Sequence, residues 1–169
     1  MRTGSIVATA GLLLAVAGCT SSECAQLERN KELVRQFTEA TNAADWQSLA
    51  GVVAEDFTRH SAATAGPQVT SREQFVELQE SFLVSFPDQK VTIQQLVAEG
   101  DRVAGLAIYS GTHTGPMGDV PATGLPVESP FLALFRIQED RIAELWVEWD
   151  NLSMLNQLGL FPPPAETPN

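Results

Sequence analysis

His60, His113, Glu148 and Asp150 are the side chains of this sequence best suited to moving a proton. Trp146, Glu148 and Asp150 alternate along an apolar run and share strand parity, so they point to one face if no bulge intervenes. On such a face two like charges sit close together, and desolvation among Trp146, Phe131 and their neighbours raises the proton affinity of a carboxylate. A carboxylate raised in this way is a better base near neutral pH than one near its ordinary value of about 3.9. A bulge near the strand end would instead turn Glu148 to solvent. His113 shares parity with Val103, Gly105, Ala107, Tyr109 and Gly111. That puts it at the mouth end of an apolar face, where an imidazole can donate to a substrate oxygen, or else bond the following Thr-Gly turn as a structural histidine. His60 carries the same two readings. The two histidines and the carboxylates lack the HxH or HxxxH spacing of a zinc site, so no metal is expected.

Positioning these groups requires helices first and strands afterwards. Leu27, Leu33, Val34, Phe37 and Thr41 recur at helical spacing and predict a helix from about Cys24 to Ala43. Asp45 can cap a second, short helix that turns Trp46, Leu49, Val52 and Val53 inward. Ser71-Arg72-Glu73-Gln74 has the capping-box spacing, and Phe75, Leu78, Phe82 and Phe86 continue a stripe that Pro87 stops. From Gln89 the period becomes two, and strands follow over Val91 to Gln95, Val103 to His113, Val127 to Gln138 and Arg141 to Asp150. Turns rather than helices join these strands, so they pair largely antiparallel. The fold class is α+β, a cone-shaped curved antiparallel sheet packed against about three N-terminal helices.

The N-terminus is a targeting segment. Arg2 precedes an apolar run from Ile6 to Ala17 that is shorter than the ~20 residues of a stable membrane span. Val16-Ala17-Gly18-Cys19 resembles the bacterial lipobox, which implies cleavage after residue 18 and lipid attached to Cys19. Ala15-Val16-Ala17 also fits an ordinary cleavage site. The lipobox reading divides the chain into a signal peptide at 1–18, a lipidated tether at 19–26, a domain at 27–160 and a Pro-rich tail at 161–169. It places the protein in a bacterial cell envelope, on the outer membrane where the host has one, facing periplasm or exterior. A net charge of −11 disfavours nucleic acid as a partner. Of two cysteines, lipidation of Cys19 leaves Cys24 without an internal disulfide partner.

Phe57-Thr58-Arg59-His60, Phe86-Pro87-Asp88, Gly111-Thr112-His113-Thr114-Gly115, Pro121-Ala122-Thr123-Gly124, Arg141-Ile142-Ala143-Glu144-Leu145-Trp146, Asp150 and Gln157-Leu158-Gly159 occur in an order and spacing that resembles the SnoaL-like polyketide cyclases, within the nuclear-transport-factor-2-like fold. The resemblance spans about Leu27 to Leu160. It implies an apolar pocket holding a hydrophobic small molecule, with Trp146, Tyr109, Phe131 and Phe82 as substrate-binding residues. It also implies a catalytic aspartate at Asp150 that performs acid/base chemistry on a small carbonyl or ester compound, as in an aldol ring closure, with His113 and His60 orienting an oxygen. No cofactor is implied, and a homodimer is admitted by analogy with open sheets of this fold. Gly124 is followed by Leu125-Pro126, where the family often carries a basic residue. The alternative reading is a non-catalytic envelope lipoprotein that binds a hydrophobic small molecule in the same pocket.

Overall fold

The computed structural model describes residues 20–62 and 68–161. The segment expected to be a signal peptide, Cys19 and residues 162–169 of the expected tail lie outside the described residues.

Helix α1 spans Ser21–Ala43. It starts earlier than its apolar stripe predicts because Thr20 and Glu23 form a reciprocal capping box, which satisfies two otherwise orphaned N–H groups. The stretch expected as a tether is therefore helical from Ser21 onward. Ala44, in the left-handed region at φ 50°, ends the helix, and Asp45 accepts the Ser48 N–H to start α2 (Trp46–Val52). The chain then enters strand β1 (Val53–His60). Ser71 caps α3 (Arg72–Ser85) by accepting the Gln74 N–H, while the Gln74 side chain takes the N–H of Thr70 at 2.8 Å.

Strands β2 (Lys90–Glu99), β3 (Arg102–Thr112), β4 (Pro126–Gln138) and β5 (Arg141–Trp149) follow as an antiparallel meander. Gly100 turns the chain between β2 and β3 at φ 57°, and Glu139 and Asp140 do so between β4 and β5 with φ of 51° and 55°. Two consecutive left-handed residues match the twist of a tight hairpin. The five-stranded sheet runs β1-β5-β4-β3-β2. Its edge pair β1–β5 is parallel, because most of the domain separates those two strands and no hairpin dictates their direction. A fourth helix, α4 (Asn151–Gln157), lies across the end of β4 and was not expected from the sequence.

The main core joins α1, α2 and α3 to the concave side of the sheet. Phe75 stacks on Phe37 at 5.5 Å and meets Phe57 edge-on at 5.1 Å. Val34, Leu49, Val53, Val103 and Ile142 are sealed around them. A smaller cluster of Phe86, Tyr109, Val127 and Leu158 fills the far end of the cone.

Candidate functional site

A cavity of about 70 Å³ separates the helices from the sheet. Its floor is built from the inward rows of β4 and β5, paired as Phe131 with Trp149, Ala133 with Val147 and Phe135 with Leu145. Val34 and Phe37 of α1 and Phe75 and Phe82 of α3 form the roof. Trp149 stacks on Phe131 at 4.1 Å and carries Tyr109 edge-on behind it, outside the cavity lining. Burial and the negative charge of Asp88 push the Tyr109 phenol upward, so it stays neutral.

The β5 register corrects the expected facing of that strand. Leu145, Val147 and Trp149 point inward, so Trp146 and Glu148 belong to the convex face. There Trp146 stacks on His60 at 4.6 Å, under the Arg102 guanidinium at 5.6 Å from its ring. The His60 Nε2 lies 2.8 Å from the Glu144 carboxylate, which also accepts from Arg136 Nε at 2.6 Å. The hydrogen bond with His60, helped by Arg136, holds the Glu144 carboxyl below its ordinary value against the effect of burial. His60 is thus engaged on the side of the sheet away from the cavity.

Asp150 is exposed and accepts the Ser153 N–H at 2.9 Å as the N-cap of α4. It follows Trp149 directly but does not line the cavity.

His113 is fully buried against Phe86, with ring centroids 5.2 Å apart. Its Nδ1 accepts the Thr123 N–H at 3.3 Å, which assigns the ring N–H to Nε2. That nitrogen has no partner among the described residues. Around His113 the glycine- and threonine-rich motifs close on one another. Asp88 accepts both the N–H and the hydroxyl of Thr112 at 2.7 Å, and these bonds hold its carboxyl below the usual range. The N–H groups of Thr114 and Gly115 both reach Ser85 O at 3.1 Å, and the Ser85 hydroxyl donates to Pro116 O at 2.7 Å. A side chain at Gly115 would place its Cβ 1.8 Å from Val84 O. These motifs form a clasp that fixes the end of α3 to the loop after β3, and they build the cone rather than line its cavity.

The three residues expected to act together therefore occupy three separate environments: His60 on the convex face, His113 inside the clasp and Asp150 at the start of α4. Phe82 and Phe131 line the cavity, and Trp146 and Tyr109 do not. The sequence reading passed over Arg59, which is 7% exposed and lines the cavity. Its signal was an arginine sharing parity with buried Phe57 on β1. Desolvation lowers the pKa of the Arg59 guanidinium, and the nearby Glu148 carboxylate opposes that shift. Among the described residues no His/Cys/Asp/Glu group is arranged to hold a metal, and no helix is long and apolar enough to cross a membrane.

The sequence profile of the SnoaL-like polyketide cyclases matches residues 31–158, from the middle of α1 to the end of α4. The chain belongs to the SnoaL-like polyketide cyclase family. Among solved structures, this SnoaL-like chain is similar to IdmH of Streptomyces antibioticus, a protein assigned as a polyketide cyclase, with 34% identity and a TM-score of 0.70 over 77% of this chain and 98% of that one. It is also similar to AclR of Streptomyces galilaeus, assigned as a hydroxylase, with 26% identity and a TM-score of 0.69 over 80% of this chain and 99% of that one. A SnoaL-like protein of Jannaschia sp. CCS1 shares the fold at 22% identity and a TM-score of 0.71, over 80% of this chain and 94% of that one. No curated protein matches the sequence. These neighbours place the chain in the nuclear-transport-factor-2-like cone fold, which carries more than one assigned chemistry.

Proposed function

We propose that this SnoaL-like protein is an envelope lipoprotein, acylated on Cys19, whose domain takes a compact apolar molecule into the cavity between helices and sheet. The observation that carries this reading is the wall of that cavity. Among the described residues it is almost wholly aliphatic and aromatic, and it presents no carboxylate and no imidazole. Such a wall gives binding through burial of apolar surface, at about 25 cal/mol per Å², and offers no proton-transfer group of its own. Its size limits the occupant. At ~10–15 Å³ of accessible space per water, 70 Å³ corresponds to roughly five to seven water-sized volumes, well short of the ~300–1,000 Å³ of pockets for drug-sized ligands. Titration with toluene, followed by NMR of Ala133 and Val147, is expected to show saturable shifts, and flat signals throughout would refute the reading. Labelling with a palmitate analogue tests the anchor: label retained in Cys19→Ser excludes acylation at that cysteine.

Cyclase-type acid/base chemistry is the second reading, favoured by membership of the family and by the 34% identity with IdmH. Asp150 would take a proton from a carbon beside a carbonyl, the carbanion would add to a second carbonyl of the same molecule, and the resulting alkoxide would be protonated. No cofactor enters this balance. The position of Asp150 directly after the cavity-lining Trp149 supports it. Its carboxylate would have to exchange the Ser153 N–H for the substrate, and the cavity would have to widen to admit a multi-ring compound. Turnover of a carbonyl substrate that is unchanged in Asp150→Asn would refute the base role.

A further inference from the structure

Helix α3 brings Phe75 and Phe82 to the cavity, and Gln79, four residues after the first and three before the second, falls on the same helical face and lines the same cavity. A polar side chain thus interrupts an apolar stripe. The other polar side chains of the described wall have less to offer an occupant, because the Thr38 and Thr41 hydroxyls donate to Val34 O at 2.9 Å and Phe37 O at 2.8 Å. Arg59 is already engaged within the protein, and the Glu148 carboxylate attracts it. Trp149 adds an indole N–H, which is a donor alone. Among the side chains of the described wall, Gln79 is the one whose donors and acceptor are both without a partner in the protein. A half-buried amide beside apolar surface gives up part of its hydration and gains no protein bond in return, a cost that a bound polar group offsets.

We propose that Gln79 is the specificity-determining residue of the cavity, and that it selects compact neutral ligands that join an apolar body to a hydroxyl group. A hydroxyl can donate to the amide Oε1 or accept from Nε2, so it finds a bond whichever way the amide is turned. A carboxylate or a carbonyl can only accept, and an ammonium can only donate. Either charge also pays a desolvation penalty against a wall of this composition, and the net charge of −11 opposes anions at long range. This proposal rests on the cavity being a ligand site, as inferred above, and adds the head group that the ligand carries.

The test compares phenol with toluene, which differ by a hydroxyl in place of a methyl, titrated into the full chain at neutral pH and followed by NMR of the cavity methyl groups. Water hydrates the two molecules differently, so the informative quantity is how their affinity ratio changes between variants. Gln79→Met keeps the length of the side chain and removes the amide; it is expected to weaken phenol about five-fold, the size of one ordinary hydrogen bond, and to leave toluene within about two-fold. Gln79→Glu keeps an acceptor on the same skeleton and is expected to hold phenol within about two-fold of the parent. This second variant keeps the proposal open to refutation should Gln79→Met fail to fold, since loss of phenol binding in Gln79→Glu overturns it. A phenol-to-toluene ratio unchanged in Gln79→Met overturns the role of Gln79 and leaves the cavity as a ligand site. Neither molecule moving the cavity signals overturns the cavity itself.

Discussion

The imidazole of His113 accepts the backbone N–H of Thr123 at 3.3 Å, with the ring buried and stacked on Phe86. This bond ties the residue that follows β3 to the irregular segment that leads into β4, through a ring whose other nitrogen is left for the proton. Histidine-selective NMR is expected to find that proton on Nε2, and a proton on Nδ1 would contradict the geometry. His113→Ala removes the ring from a packed site and leaves the Thr123 N–H unsatisfied. It is expected to cost about 2–4 kcal/mol in urea unfolding.

Gly115 tests the clasp from the other side. Because a Cβ there would overlap the Val84 carbonyl oxygen, which belongs to helix backbone and cannot swing away, Gly115→Ala must displace the loop from α3. The expected loss is about 3 kcal/mol or more, with the Thr114 amide losing its protection from hydrogen exchange. A variant as stable as the parent would show that the loop docks more loosely than described.

Asp150 offers a way to separate capping from catalysis. Asparagine is as good an N-cap as aspartate and alanine is not, so Asp150→Ala is expected to lose about 1 kcal/mol while Asp150→Asn keeps nearly full stability. Thermal unfolding of the pair reads the structural role alone. A drop in turnover shared by both variants, Asp150→Asn included although it keeps the cap, would then belong to proton transfer.

Filling the cavity should abolish binding without harming the fold. Ala133 faces the cavity from the middle of β4, and Ala133→Leu projects extra carbons into the empty volume. Its melting temperature is expected to stay level or rise, and toluene titration to go flat. Retained binding would place the ligand elsewhere.

Acid stability follows from Glu144 and Asp88, whose folded-state carboxyls both sit below their ordinary values. A depressed carboxylate contributes stability that is fully present above its unfolded value, near 4.5 for Glu144, and is lost as pH falls through the folded one. The protein is therefore expected to lose stability below about pH 4.5. Asp88→Asn should flatten that acid limb, since the amide still accepts from Thr112 but no longer titrates. An acid limb identical in the variant would remove Asp88 from the account.

The helical starts were legible because Asp45 and Ser71 are capping residues at the positions where apolar stripes begin. The three long strands and their hairpins were legible from strict alternation and from the turns at Gly100 and Glu139-Asp140. Parity, however, defines two faces of a strand without saying which is inside. On β5 an ionic and aromatic cover of His60, Glu144, Arg136 and Arg102 lets a tryptophan sit on the convex side, so Trp146 read as a pocket residue when Trp149 is one. Helix α4 escaped notice because it follows β5 without a break and its only start signal is Asp150 itself. The motif residues around His113 looked reactive for a related reason: polar groups that bond one another in a tight loop are the same types that bond a substrate. Only the pairing of His113 with Thr123, and of Thr112 with Asp88, distinguishes the two uses.

The capping box at Thr20 has a bearing on how the domain would stand above a membrane. A regular helix rises about 1.5 Å per residue, so the 23 residues of α1 make a rod of roughly 35 Å. With the first helical residue only two positions beyond Cys19, an acylated chain would have almost no slack between its anchor and this rod. The cone would then be mounted on a mast instead of swinging on a leash, and the height of its cavity above the lipid would be set by helix geometry.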